Sequence, residues 1–169
     1  MLDARTTKRL EKLRSLLVER NATLAVAESL TAGNVMATFA TVEGVSECLE
    51  GGVITYNLEQ KVRQLGVNRQ HAEAVNCVSQ RVADEMARGV AERFESTFAV
   101  AATGYAQSAP ERGIPRPMAF LAVWSRDMDG SSGVCHQLRW EGDGNRFEVQ
   151  RAVALVALEM VLDETQRQS

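Results

Sequence analysis

A chain of 169 residues with 45% hydrophobic and 24% charged residues has the composition of one folded core, not of a disordered segment. Its formal net charge of −3 and pI near 5.5 leave no electrostatic footprint for nucleic acid, and no apolar run approaches the roughly 20 residues a membrane span needs. The opening Met1-Leu2-Asp3-Ala4-Arg5 carries no apolar signal core, and Cys48, Cys77 and Cys135 are spaced for neither disulfides nor zinc, so a cytoplasmic protein with three buried free thiols is expected.

Leu10, Leu13, Leu16 and Leu17 fall at helical spacing among charged residues, which predicts a surface helix over about Thr7 to Glu19. Thr23 to Ala27 reads as a short buried strand running into Glu28-Ser29-Leu30-Thr31-Ala32-Gly33, with a helix following through Val35, Met36 and Phe39. A second strand, Val53 to Tyr56, follows Gly51-Gly52. Asn57 suits the N-cap of a short helix carrying Lys61, Val62 and Leu65, which Gly66 closes.

Ser79 suits the cap of the next helix, with Val82, Met86, Val90 and Phe94 as its apolar stripe. Thr97 to Ala102 is the third strand, ending at Thr103-Gly104, and residues 105 to 116 form a loop. Met118 to Trp124 is the fourth strand, and Gly130 to Gly133 reads as a hairpin turn into Val134 to Trp140. A final helix over about Asn145 to Asp163 would bury Phe147, Val153, Val156, Met160 and Val161. Strands alternating with helices, followed by a hairpin, predict a single α/β domain over residues 1–169, a three-layer α/β/α sandwich with a mixed central sheet.

Three segments could carry chemistry. Ser29 sits at a strand-to-helix turn, where a hydroxyl can project into the crevice and free helix N–H groups can meet an anion; a simple capping role for Ser29 or Thr31 is the competing reading. Lys61 stands out by composition. Of the 19 basic residues only Lys8, Lys12 and Lys61 are lysines, and the first two lie on the polar face of the first helix. Arginine stays protonated, whereas a buried lysine loses its proton readily and can serve as a base for a serine nucleophile. An ordinary solvated lysine is the alternative. Thr103-Gly104, at another strand end, could border a ligand or simply end the strand. Arg146 has the planar fork that grips phosphate, or could form a surface ion pair. His71 and His136 have no partner for a relay triad, and no cluster has metal-ligand spacing.

Taken together, Ala27-Glu28-Ser29-x-Thr31-x-Gly33 and Gly51-Gly52-Val53-Ile54-Thr55-Tyr56-Asn57-x-x-x-Lys61-x-x-x-Leu65-Gly66-Val67 resemble the CinA C-terminal-domain family, the bacterial nicotinamide-nucleotide amidohydrolases (NMN deamidases). Val78-Ser79-x-x-Val82-Ala83-x-Glu85-Met86-Ala87, Thr103-Gly104 and Arg116-Pro117 are similar to it too. The resemblance implies a metal-free, cofactor-free hydrolysis of nicotinamide mononucleotide to nicotinate mononucleotide and ammonia. It assigns Ser29 as nucleophile and Lys61 as general base. Glu28, Thr31, Gly33, Tyr56, Thr103, Gly104 and Arg146 would bind substrate, with Arg146 on its phosphate. It also implies a homo-oligomer; beside larger members with an additional N-terminal domain the chain looks like a stand-alone version, and its charge and hydropathy predict no nucleic-acid or membrane partner. The chain departs from the family where Leu30 and Ala32 stand in place of Cys and Gly, and where Gln107-Ser108 stand in place of Gly-Pro. Those departures raise a second possibility, a relative that binds a nucleotide-type ligand without turnover.

Overall fold

The computed structural model describes residues 2–126 and 131–168. In chain order the elements are α1 (Ala4–Glu19), β1 (Leu24–Glu28), α2 (Asn34–Phe39), β2 (Leu49–Ile54), α3 (Leu58–Leu65), α4 (Arg69–Ala74), α5 (Gln80–Phe94), β3 (Phe98–Tyr105), β4 (Met118–Arg126), β5 (Ser132–Glu141) and α6 (Arg146–Arg167). The strands form one sheet in the order β2-β1-β3-β4-β5. β2, β1 and β3 run parallel, and β4 and β5 add antiparallel. Helices α1, α2 and α6 cover one face and α3, α4 and α5 the other, which is the expected three-layer sandwich on a mixed sheet.

Side chains alternate across each central strand, because successive Cβ atoms point to opposite faces. Leu24, Val26, Phe98, Val100, Leu121 and Val123 meet α1, α2 and α6. Ala25, Ala27, Ala99, Ala101 and Ala122 turn to α5. Alanine-surfaced strands let α5, itself lined by Ala83, Ala87 and Ala91, lie close to the sheet. The fit is tight on the other side of α5 as well: a Cβ on Gly89 would stand 2.1 Å from the Leu65 carbonyl oxygen. A core packed this way needs few aromatics, consistent with an aromatic content of 5%.

Several boundaries differ from the sequence expectation, each for a physical reason. α1 begins at Ala4 because the Asp3 carboxylate accepts from the N–H groups of Arg5 and Thr6. β2 begins at Leu49 and includes Gly51-Gly52, with Tyr56 outside it. Those glycines make room within the strand: a Cβ on Gly51 would meet the Phe94 ring at 2.7 Å, and one on Gly52 the Val26 oxygen at 2.6 Å. β3 runs on through Thr103 and Gly104 to Tyr105, because these residues pair with Phe120, Ala119 and Met118. α4 and the short 3-10 turn Pro110–Arg112 carry too little apolar periodicity to stand out in sequence.

β5 starts at Ser132, so Gly133 lies within the strand, while Gly130 of the expected turn lies outside the described residues. α6 extends to Arg167, and Phe147 is 60% exposed rather than buried. It occupies the first turn, where its ring takes the Arg151 guanidinium at 5.5 Å instead of entering the core. Of the three cysteines only Cys48 is buried; Cys77 is half-buried and Cys135 exposed on the edge strand. Among the described residues no helix is long and apolar enough to cross a membrane.

The topology places a crevice. β1 leads through α2 to β2 on one side, and β2 leads through α3, α4 and α5 back to β3 on the other side of β1. Because the chain leaves the carboxyl end of β1 toward β2 and the carboxyl end of β3 toward β4, on the opposite side, it diverges between the ends of these two neighbouring strands, where open α/β sheets bind ligands.

Candidate active site

A cleft of about 500 Å³ opens at that point, lined among others by Ser29, Tyr56, Lys61, Thr103, Gly104 and Arg146. Its size is ordinary for a small-ligand site.

Ser29 follows β1 directly. Its backbone N–H donates to the Ala102 oxygen at 3.1 Å, which holds the turn against β3, and Ser29 is 8% exposed. Lys61 reaches the same point from α3, a helix begun by Asn57, whose side chain accepts from the Gln60 N–H at 3.0 Å. Gly66, in the left-handed conformation at φ +65°, closes it. From there the Lys61 amine donates to Ser29 Oγ at 2.9 Å and to the Thr55 carbonyl oxygen at 2.7 Å.

Lys61 is 1% exposed and has no carboxylate partner among the described residues. Burial therefore pushes its pKa down to about 8, against a small opposing pull from the Cys77 thiol. At neutral pH a useful fraction of this amine, on the order of a tenth, is unprotonated. In that form it can keep donating to Thr55 while accepting the Ser29 proton. The solvated-lysine alternative does not describe this residue.

Glu28, Thr31 and Gly33 are close in sequence to Ser29 but are not among the cleft-lining residues. The Glu28 carboxylate turns inward and accepts from the N–H groups of Gly33 (2.8 Å), Val35 (3.1 Å) and Met36 (3.0 Å). The expectation that these helix-start N–H groups are free for an outside anion is thus corrected, because an internal carboxylate already occupies them. Gly33 supplies a φ of +99° that a side chain would strain, and Ala32 before it sits at φ +52°. Thr31 is fully buried, its hydroxyl without a partner among the described residues.

On the opposite wall, Thr103 Oγ1 donates to the Cys77 carbonyl oxygen at 2.7 Å, pinning the 75–78 loop beside Lys61. Gly104 is there for β4: a Cβ would come within 2.2 Å of the Met118 oxygen. At the mouth, Arg146 donates to the Tyr56 hydroxyl at 3.3 Å and to Gln107 Oε1 at 3.0 Å, so these partners are neutral, and among the described residues no ion pair consumes its charge.

Sequence reasoning missed Asn76, whose side-chain amide donates to the Tyr105 hydroxyl at 2.7 Å, and Arg112, which also lines the cleft. Neither carries a local signal, since both reach the site through loops. It also missed the Thr55 carbonyl, since a backbone acceptor leaves no trace in residue type. His71 pairs with Ser79 Oγ at 2.9 Å, away from the cleft lining. Among the described residues no group of three or more His, Cys, Asp or Glu could hold a metal.

Comparison with known proteins places the chain in a family. The family model described as the CinA C-terminal domain matches residues 6–165. A CinA-like protein from Frankia casuarinae is 37% identical over 143 residues, covering 85% of this chain and 32% of that protein. Another, from Gemmatimonas aurantiaca, is 38% identical over 142 residues, covering 83% and 32%. The chain therefore spans about a third of the length of these curated relatives. Among solved structures, the competence/damage inducible protein CihA from Agrobacterium tumefaciens superposes with a TM-score of 0.81 at 26% identity, over 96% of this chain and 97% of that one. The competence damage-inducible protein A (ComA) from Klebsiella pneumoniae gives 0.87 at 24%, over 97% and 99%, and shows the same fold. Matched along nearly its whole length, the chain belongs to the CinA C-terminal domain family.

Proposed function

We propose that this protein is a Ser/Lys amidohydrolase that deamidates nicotinamide mononucleotide to nicotinate mononucleotide and ammonia. The observation that carries the reading is the 2.9 Å contact between Ser29 Oγ and an amine that burial holds near a pKa of 8. A lysine in that state is a base matched to neutral pH, whereas an exposed one is not.

Neutral Lys61 takes the Ser29 proton as Oγ adds to the carboxamide carbon. The resulting tetrahedral adduct collapses by breaking the C–N bond, and the Lys61 ammonium gives its proton to the departing NH2 group, which leaves as ammonia. The nicotinoyl ester left on Ser29 is opened by water, with Lys61 again removing a proton and Ser29 recovering its own. The Thr55 carbonyl accepts from the amine throughout, which fixes its direction while its charge changes. Arg146, uncommitted to any carboxylate, takes the phosphate at the cleft mouth, with Tyr56 beside it. Glu28 acts by holding the Ser29–Gly33 turn, not by touching substrate.

Purified protein should release ammonia from nicotinamide mononucleotide, and Ser29→Ala should abolish the release while leaving substrate binding measurable. Undiminished turnover in that variant would remove Ser29 from the chemistry. One observation favours a binding-only protein instead. Gln107, standing where the family has glycine, already occupies one Arg146 nitrogen and must be displaced by a phosphate. Saturable binding by the unmodified protein without any ammonia release would decide for that reading.

A further inference from the structure

A second cavity of about 630 Å³ adjoins the cleft, and Asn76, Val78, Tyr105 and Arg112 line both. The hydrogen bond from Asn76 to the Tyr105 hydroxyl joins two of these shared residues. The cavity presents three kinds of chemistry. Val75, Ile114, Met118 and Phe120 give it an apolar surface. Arg112 and Arg139 give it positive charge, with the Arg139 guanidinium 6.0 Å over the Phe120 ring and one of its nitrogens donating to Glu141. Glu73 adds one carboxylate.

Arg112 matters most, because it belongs to both spaces. Its only ion-pair contact among the described residues is with Glu111 at 3.9 Å, beyond hydrogen-bonding distance, so its fork remains uncommitted. A guanidinium held over an aromatic ring, with apolar side chains around it, offers its outer face for an aromatic base to stack on. A carboxylate suits ribose hydroxyls, and a free guanidinium between two cavities suits a phosphate linking two nucleosides. A mononucleotide held at Ser29 with its phosphate on Arg146 leaves all of these groups unused.

We propose that the cleft and the second cavity act as one site for a nicotinamide-containing dinucleotide. This rests on the amide-hydrolase reading of the cleft. The carboxamide half sits at Ser29, the pyrophosphate bridges Arg146 and Arg112 past the Asn76–Tyr105 pair, and the base of the second nucleoside stacks on the outer face of the Arg139 guanidinium. The reaction is the same amide hydrolysis, with water as co-reactant and ammonia as leaving group.

Two measurements on the whole chain test this separately from the hydrolase reading. Adenosine diphosphate carries no amide, so its binding, followed by titration calorimetry, reports the second cavity without any turnover. It should bind one to one, and Arg112→Ala and Arg139→Ala should each weaken it about tenfold, the loss of one charge-assisted contact. Both residues are exposed, so neither change threatens the fold. Ammonia release from nicotinamide adenine dinucleotide should likewise lose about tenfold more kcat/KM in Arg139→Ala than release from the mononucleotide does.

If adenosine diphosphate fails to bind at millimolar concentration, or binds equally well to both variants, the dinucleotide site is wrong even where the mononucleotide is hydrolysed. If it binds through Arg112 and Arg139 but no amide is cleaved, the second cavity stands and the hydrolase falls.

Discussion

Replacing Lys61 with methionine should separate the stability of this protein from its chemistry. The buried amine has a pKa of about 8, whereas in the unfolded chain it returns to the ordinary value of 10.5. Below pH 8 both states carry the proton, and the fold bears the full penalty of holding an ammonium in a nearly water-free place. Between pH 8 and 10.5 the unfolded chain binds the extra proton, so stability rises with pH through that window. The whole shift corresponds to roughly 3 kcal/mol, at about 1.36 kcal/mol for each pKa unit.

A methionine side chain at this position would carry no such penalty. It would also leave the Thr55 carbonyl without its donor, a loss of about 1–3 kcal/mol that does not depend on pH. Urea unfolding of both proteins from pH 7 to 10.5 should therefore show Lys61→Met gaining ground at neutral pH and losing it in alkali. The difference between the two curves should change by about 3 kcal/mol across the window. Taking the difference cancels every other group that titrates there. Parallel curves would mean that the amine is not desolvated, and the argument for a neutral base would fail with it. The kinetic counterpart is a kcat/KM in the unmodified protein that climbs as pH passes about 8 and then levels off.

Ala32→Gly should stabilise the protein by about 0.5–1 kcal/mol, since an alanine at φ +52° bears a left-handed cost that exceeds the added unfolded-state entropy of glycine. That corresponds to a rise of roughly 1–4 °C in Tm, and an unchanged or lower Tm would count against strain in this turn. Glu28→Gln should cost on the order of 2 kcal/mol in urea unfolding, because the amide presents a donor toward N–H groups that now share a carboxylate. Arg146→Ala should raise KM for the mononucleotide about tenfold or more while leaving the phosphate-free nucleoside little affected. Equal losses on both substrates would show that Arg146 does not read phosphate.

Much of the architecture was legible in the residues because burial writes a period into sequence. The leucines of α1, the stripe of α5 and the small, branched residues of β1 and β3 could be assigned from spacing. The pairing of Ser29 with Lys61 was legible in another way, through a lone lysine outside the first helix in a chain that otherwise uses arginine, together with the family motif. Glycines were misleading. Gly51-Gly52 read as lying ahead of a strand and Gly104 as a strand end that could border a ligand, but all three are strand residues whose missing Cβ admits a neighbouring ring or strand. No local window shows what will press against a glycine from another element.

The sequence by itself specified the order of the strands and of the longer helices, the layered α/β/α class and, with the family motif, which two side chains carry the proposed chemistry. Only the tertiary structure decided that Glu28 faces inward, that Phe147 stays in solvent, and that Asn76, Tyr105 and Arg112 border the cleft. It also decided the state of Lys61. Periodicity is a property of one segment, but a lowered pKa depends on water being displaced by atoms from several segments at once, and those meet only when the chain has closed.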